Sequence, residues 1–228
     1  MAKARFMIML ENYENNKEAL ETGPYIRQLD LAMSCSQVVV LDTKEMFTCR
    51  VTWDMLRLWD MSPESLFEYA GEDSREYLPP TIEPMEDVIK GYLVEEYYEK
   101  TRDNLEEAMK KAEKEYIKLF GITQGEAPRV YVISNECRIQ GSAVVFYTDV
   151  LKKLADKTAS DLILLPSSVH EWLAIQADQA GPLDELKSMV YDANRFVVRE
   201  CEVLSDSVYY YSRKNDVIEI MEQDLDKG

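Results

Sequence analysis

RVYVIS at residues 129–134 and DLILL at residues 161–165 are the two runs that decide the fold of this 228-residue chain. Both are rich in β-branched and apolar residues, and a turn-forming residue follows each of them, Asn135 and Pro166. Such runs predict buried β-strands. Residues 142–147, SAVVFY, predict a further strand between them.

The remainder of the C-terminal half alternates helical and strand patterns. A helix is predicted over 182–199, and two short strands follow it. Residues 167–176 are ambiguous, because Ser168 and Glu171 match a capping box while the apolar residues after them alternate as in a strand. For this segment we expect a helical turn that runs into a strand.

Helical patterns dominate the N-terminal half. Apolar residues at helical spacing predict a helix over 4–22, and most of 84–121 is predicted to be helical. Residues 38–41 and 46–51 predict a small hairpin between these helices.

The two halves together predict an α+β fold. Connections are short and no glycine-rich βα turn occurs, which favours a mixed or antiparallel sheet packed by helices in the C-terminal half. We expect a helix-rich segment with a small hairpin over 1–125 and an α+β segment over 126–228, forming one compact unit.

Acidic residues outnumber basic ones by 43 to 26, which gives a formal net charge of −17. Direct contact with nucleic acid or with an anionic membrane surface is therefore not expected, because both need clustered Lys and Arg. Residues 54–107 contain 16 acids and 5 bases, so this segment alone contributes −11. We predict a solvated helical surface there, and a docking face for a basic partner is the alternative.

Composition also bears on compartment and cofactors. No apolar run reaches the roughly 18 residues of a membrane span, and the first apolar run ends at Glu11, too early for a signal peptide. The scattered cysteines predict reduced core residues in a cytoplasmic protein. A single histidine and glycines without phosphate-loop spacing predict neither a metal site nor a bound cofactor. The cysteines are Cys35, Cys49, Cys137 and Cys201.

His170 is the one histidine and the only weak candidate for a catalytic residue. In one interpretation it is a general base that activates a hydroxyl or thiol from elsewhere in the fold. In the other, the serines before it bond to backbone N–H groups and His170 fills a partly buried position. The candidate binding patch around it consists of Asn135, Gly141, Ser167, Ser168, His170 and Glu171.

Several of these segments together carry a family resemblance. LPSSVHE at 165–171 is its most specific motif, and RVYVISN at 129–135, GSAVVFY at 141–147 and LENYENNK at 10–17 accompany it. The chain resembles an uncharacterised bacterial family of unknown function and, more distantly, YtpQ-like proteins. The resemblance implies no activity. It also implies that this chain lacks an N-terminal α/β segment found in longer members.

Three functional hypotheses are compatible with these observations. The first is a non-enzymatic cytoplasmic module that interacts with or regulates an unknown protein partner, for which a basic protein is one alternative. The second is a hydrolase or transferase that uses His170. The third is an acidic DNA mimic or anti-host factor from a mobile element, since similar proteins occur in gut bacteria and on mobile elements.

Overall fold

A computed structural model describes residues 5–41, 46–101, 104–121 and 128–222. Its strands are β1 (Arg5–Asn12), β2 (Tyr25–Gln28), β3 (Leu31–Leu41), β4 (Met46–Arg50), β5 (Pro80–Pro84), β6 (Val130–Asn135), β7 (Leu162–Ser168), β8 (Glu171–Gln176), β9 (Tyr209–Ser212) and β10 (Val217–Ile220). Its helices are α1 (Lys17–Leu20), α2 (Trp53–Trp59), α3 (Pro63–Tyr77), α4 (Met85–Thr101), α5 (Leu105–Phe120), α6 (Val150–Thr158) and α7 (Leu183–Phe196).

The N-terminal sheet is built on the long strand β3. β1 pairs with one side of β3, and β2 and β4 share the other, all antiparallel. The predicted helix over 4–22 is wrong for β1, and the expected division into a helical half and a sheet half is wrong with it. A continuous apolar run such as Phe6–Leu10 suits a strand covered on both faces, and its spacing alone does not distinguish that strand from a helix.

Helix α3 covers the free edge of β1. The backbone N–H of Phe6 donates to Asp73 Oδ2 at 3.0 Å, and that of Ile8 donates to Ser74 Oγ at 3.0 Å. These side chains replace the missing neighbouring strand, so the edge does not present open donors to another chain.

The second sheet has six antiparallel strands in the order β10-β9-β7-β8-β6-β5. The predicted α+β fold with an antiparallel sheet is therefore confirmed. Its edge strand β5 begins and ends with proline, at Pro80 and Pro84, which suits an edge because proline donates no ladder hydrogen bond.

One hydrophobic core connects the two sheets. Leu10 and Leu31 of the N-terminal sheet pack in the same buried cluster as Ile133, Trp172 and Tyr209 of the second sheet. The predicted boundary near residue 125 is thus crossed by core contacts, and the division into two segments stays a prediction.

Two local predictions in the C-terminal half are wrong. Residues 141–146 form a 3₁₀ helix rather than a strand. At residues 167–176 the β7–β8 hairpin turn replaces the expected helical turn, while the strand expected after it is present as β8. The first five residues of the 3₁₀ helix are all buried, whereas an extended strand would turn alternate side chains outward. At the hairpin, the alternation of apolar residues prevails over the capping box.

The cysteines divide between core and surface. Cys35 is buried in the N-terminal sheet, and this burial raises the pKa of its thiol to about 12. Cys49, Cys137 and Cys201 are exposed, so the prediction of core positions is wrong for them. Within the described ranges, no helix has the length and apolar character needed to cross a membrane.

Candidate functional site at the His170 turn

The candidate patch centres on the turn between β7 and β8. Ser168 Oγ accepts a hydrogen bond from the His170 backbone N–H at 3.1 Å, which closes the turn locally. Ser167 Oγ lies 3.4 Å from Glu171 Oε1, across the same turn. Both serines therefore serve the conformation of the hairpin, as expected for short polar side chains in turns.

Asn135 organises the loop that follows β6. Its amide donates to the Ile139 carbonyl at 2.8 Å and accepts from the Ile139 N–H at 3.3 Å. Arg138 and Gln140 in this loop adopt positive φ angles of 53° and 52°. The buried asparagine thus fixes a strained loop that reaches over to the His170 turn.

Gly141 is the point of closest approach between the loop and the turn. A Cβ placed there would overlap Ser134 Oγ and lie 2.7 Å from both the Asn135 backbone nitrogen and the His170 carbonyl oxygen. Ser134 Oγ also donates to that carbonyl at 2.8 Å. No side chain fits at Gly141 without moving the backbone.

Replacing Gly141 with alanine is expected to lower the free energy of unfolding by about 2–3 kcal/mol, because two backbone segments must separate. Urea unfolding measures this change. Gly91 of α4 is the matched control, since nothing lies within 4 Å of its would-be Cβ. Gly91→Ala should be neutral or stabilise by up to about 1 kcal/mol. Equal effects at both positions would contradict the close approach at Gly141.

The imidazole of His170 is held by the same loop. Its Nδ1 accepts the Gln140 backbone N–H at 3.0 Å, which places the proton of the neutral ring on Nε2. Nε2 lies 3.6 Å from Glu202 Oε1, and the side chain is 31% exposed. In this arrangement neither ring nitrogen offers a free lone pair. Over the described residues, no serine, threonine or cysteine side chain bonds to the ring.

Trp172 connects the turn to the 3₁₀ helix and to β9. Its indole N–H donates to the Ser142 carbonyl at 2.9 Å, and its ring meets Tyr209 edge-on, with centroids 5.0 Å apart. The backbone N–H of Val169 in the turn donates to the Glu202 carbonyl at 2.9 Å, which connects the turn to the segment after α7. The structure therefore brings all six predicted patch residues to one place, where most of their polar groups are used internally.

Glu202 connects this turn to a surface that sequence reasoning missed. Its carboxylate lies 3.6 Å from Arg199 Nη1 as well as from His170 Nε2. The segment containing both residues continues directly from α7. At the end of α7, the consecutive residues Phe196 and Val197 are 82% and 81% exposed. We call Phe196, Val197, Arg199, Glu202 and the His170 turn the His170 surface.

A second missed constellation surrounds Asp30, in the turn between β2 and β3. Its carboxylate accepts hydroxyl hydrogen bonds from Ser205 at 2.6 Å, Ser207 at 3.0 Å and Tyr209 at 2.6 Å. Burial and this carboxylate raise the pKa of Tyr209 above its ordinary value. The group joins the N-terminal sheet to the segment before β9. No local pattern could reveal contacts between residues so distant in sequence.

A separate cleft shares no lining residue with the His170 surface. It has a volume of about 670 Å³ and is lined by charged residues of both signs, among them Asp156, Asp161 and Arg213. Arg213 Nε contacts Asp156 Oδ1 at 2.8 Å and holds the pKa of that carboxyl below its ordinary value. None of the six patch residues lines this cleft. Across the described part of the chain, no group of three His, Cys, Asp or Glu residues could hold a metal ion.

Fold and site define an α+β protein with two antiparallel sheets and a tightly hydrogen-bonded turn at the candidate patch. Residues 1–213 match the model of DUF5688, a family of unknown function, and the chain belongs to this family. No curated protein and no solved structure matched the chain. The family resemblance is thereby confirmed at the level of a family without an assigned activity.

Proposed function

We propose that this protein is a non-enzymatic interaction module that binds a protein partner through the His170 surface. The observation that carries the proposal is the pair Phe196 and Val197, two consecutive large apolar residues at the end of α7 whose side chains are 82% and 81% exposed. Large apolar side chains exposed within one short segment are typical of binding surfaces, where burial by a partner supplies the favourable energy.

The surroundings of this pair favour a partner with basic and apolar residues. Glu200 is exposed within the same segment, Glu171 is partly exposed at the His170 turn, and the Glu202 carboxylate is partly compensated by Arg199. Arg195, which directly precedes Phe196, is paired with Asp206 at 2.8 Å, so the remaining carboxylates outnumber the remaining bases around the pair. A margin that is acidic on balance is complementary to apolar side chains flanked by Lys or Arg. A basic partner is also the alternative that the acidic composition left open.

The other two hypotheses have less support in the structure. Nδ1 of His170 accepts a hydrogen bond from the Gln140 N–H, and Nε2 faces the Glu202 carboxylate. The ring therefore has no lone pair available to activate a nucleophile, which the hydrolase or transferase hypothesis requires.

A DNA mimic needs rows of free carboxylates that continue over one elongated face. Such a row is present on α3, as the exposed Glu64, Glu68, Glu72 and Glu76, but on α4 and α5 several glutamates are paired with lysines one turn away. Ion pairs join Glu86 and Lys90, Glu96 and Lys100, Glu106 and Lys110, and Glu107 and Lys111.

Further parts of the proposal rest on the sequence alone. These are the cytoplasmic location, the distant likeness to YtpQ-like proteins, a role in conflict between host and mobile element, and the two-segment division. The acidic segment over 54–107 remains a proposed solvated surface.

A phage-displayed random peptide library panned on the full chain tests the partner chemistry. We expect the enriched peptides to combine aromatic or aliphatic residues with flanking Lys or Arg. Their capture should fall for a Phe196→Ser/Val197→Ser variant. It should be unchanged for Leu58→Ser, because Leu58 on α2 is 83% exposed and equally apolar.

Two results would contradict the proposal. One is enrichment of peptides without any basic bias, and the other is equal capture by the wild type and the Phe196→Ser/Val197→Ser variant. Circular dichroism of each variant confirms that the fold is retained, so that a loss of capture reports on the surface itself.

A further inference from the structure

The six-stranded sheet ends at β10, and over the described residues the outer edge of this strand is unpaired. β10 pairs with β9 on one side and is the last strand of the sheet on the other. Two other edges in the molecule are protected, because α3 covers that of β1 and prolines begin and end β5. β10, with the sequence VIEI, has neither protection. An open edge of this kind is a template for a further strand.

The register of the β9–β10 hairpin decides which backbone groups face outward. The Met221 N–H donates to the Val208 carbonyl at 2.9 Å, so the backbone groups of Met221 point toward β9. Backbone direction alternates along an antiparallel strand, which turns the groups of Glu219 toward β9 and those of Ile218 and Ile220 outward. The N–H and carbonyl groups of these two isoleucines therefore form the edge. Among the described residues, none hydrogen-bonds to them.

The side chains of β10 determine what an added strand would meet on each face of the sheet. Ile218 and Ile220 pack against the core that connects the two sheets, so the exposed Glu219 lies on the opposite face. A groove of about 360 Å³ lies beside the beginning of β10, and its lining includes Ile218, Phe146 of the 3₁₀ helix and Leu29 of the β2–β3 turn. An apolar side chain next to Ile218 would lie against this groove. A side chain next to Glu219 would meet a carboxylate.

The charge of this segment favours a basic occupant. Residues 216–222 contain three acids and no base, and the acids are Asp216, Glu219 and Glu222. Lys214 lies in the preceding turn, outside the strand. Two β10 strands paired edge to edge would bring like charges together, which destabilises a sheet, whereas an opposite charge beside Glu219 stabilises it. The edge thus opposes a second copy of this chain and suits a strand that carries Lys or Arg.

We propose that β10 is a second binding site, at which an extended basic segment of another protein adds a strand to the six-stranded sheet. The backbone of this segment pairs with Ile218 and Ile220. Its apolar side chains alternate with Lys or Arg, and a basic side chain lies opposite Glu219. The inference goes beyond the proposed function, because β10 shares no residue with the His170 surface and recognises its partner through the backbone.

Fluorescence anisotropy of labelled peptides, titrated with the full chain, tests the site. The probe is a blocked octapeptide of alternating valine and lysine, and its control has the same composition with the valines and lysines in pairs. We expect the alternating peptide to bind at least about tenfold more tightly than the control. The same alternating peptide with N-methylated backbone nitrogens should bind no better than the control, because it cannot donate to the edge.

Variants of β10 locate the binding. Glu219→Lys reverses the charge opposite the basic side chain and should weaken binding of the alternating peptide about tenfold or more. Glu136→Lys, at an exposed position after β6 on the far side of the sheet, is the matched control and should have little effect. Ile218→Pro removes an outward N–H and should also prevent binding. The Phe196→Ser/Val197→Ser variant should bind this peptide as the wild type does. Circular dichroism checks that each variant is folded.

Three results would overturn the proposal. One is equal affinity for the alternating peptide and its control, which would reduce the interaction to charge alone. Another is binding that survives Glu219→Lys and Ile218→Pro, which would place the peptide on a different surface. The third is a dimer of the full chain in sedimentation velocity that Ile218→Pro abolishes, which would assign the edge to a second copy.

Discussion

Replacing Trp172 with alanine is expected to lower the free energy of unfolding by about 3–5 kcal/mol. Trp172 is 1% exposed and is among the largest fully buried side chains of the described chain. Its removal leaves a cavity next to Tyr209 and an unpaired buried carbonyl at Ser142. The expected drop in melting temperature is about 10 °C or more for a chain of this size.

A conservative replacement separates the two causes of this loss. Trp172→Phe keeps most of the ring packing but removes the indole N–H, so it should cost about 1–3 kcal/mol. Thermal unfolding followed by circular dichroism gives both values. A Trp172→Ala protein as stable as the wild type would show that the turn and the 3₁₀ helix do not share one core.

The second large effect is expected for Asp30→Ala, at about 3 kcal/mol. This carboxylate accepts from three hydroxyls, those of Ser205, Ser207 and Tyr209. Hydrogen bonds to a charged group contribute more than neutral ones, and the buried Tyr209 hydroxyl would lose its acceptor. The two sheets would then be joined by core packing with one polar connection fewer.

Single hydroxyl deletions provide the matched controls for Asp30. Tyr209→Phe and Ser207→Ala each remove one donor and keep the carboxylate, so each should cost about 1 kcal/mol. Urea unfolding with tyrosine and tryptophan fluorescence measures all three variants. If Asp30→Ala cost no more than Ser207→Ala, the carboxylate would not act as a common acceptor between the sheets.

Elements whose conformation is decided by their own residues could be predicted from the sequence, and elements decided by distant contacts could not. β6 and β7 were predictable because each is a short run of β-branched and apolar residues between turn residues, and the helix at α7 because its apolar stripe is regular. The strand β1 could not be predicted, because Phe6–Leu10 is apolar throughout and only contacts with distant elements decide its conformation. The 3₁₀ helix was missed for a similar reason: the neighbours of Gly141 fix that segment.

The candidate site shows the same limit more sharply. The sequence placed Ser167, Ser168, His170 and Glu171 together because they are neighbours along the chain. It could not show that Gln140 and Glu202 flank the imidazole, since both come from other elements. Nor could it single out Phe196, which looks like one more core residue of an amphipathic helix until the helix is placed on the sheet.

These observations explain why a single histidine in a specific motif need not indicate chemistry. The LPSSVHE motif builds a hairpin turn, and its polar atoms bond within that turn, to Ser134 of β6 and to Gln140 in the loop after β6. The turn also bonds to Glu202, through the Val169 N–H and next to the His170 ring, in the segment that follows Phe196 and Val197. In the proposed binding surface, bonds of this kind lower the conformational entropy that is lost when a partner docks.

The most direct test of binding through the His170 surface is the dissociation constant of a selected peptide, measured by isothermal titration calorimetry. The account predicts that Phe196→Ser/Val197→Ser weakens binding at least about tenfold, a change of about 1.4 kcal/mol, at an unchanged melting temperature. Leu58→Ser should bind as the wild type does. Equal affinities for the wild type and the Phe196→Ser/Val197→Ser variant would contradict the account.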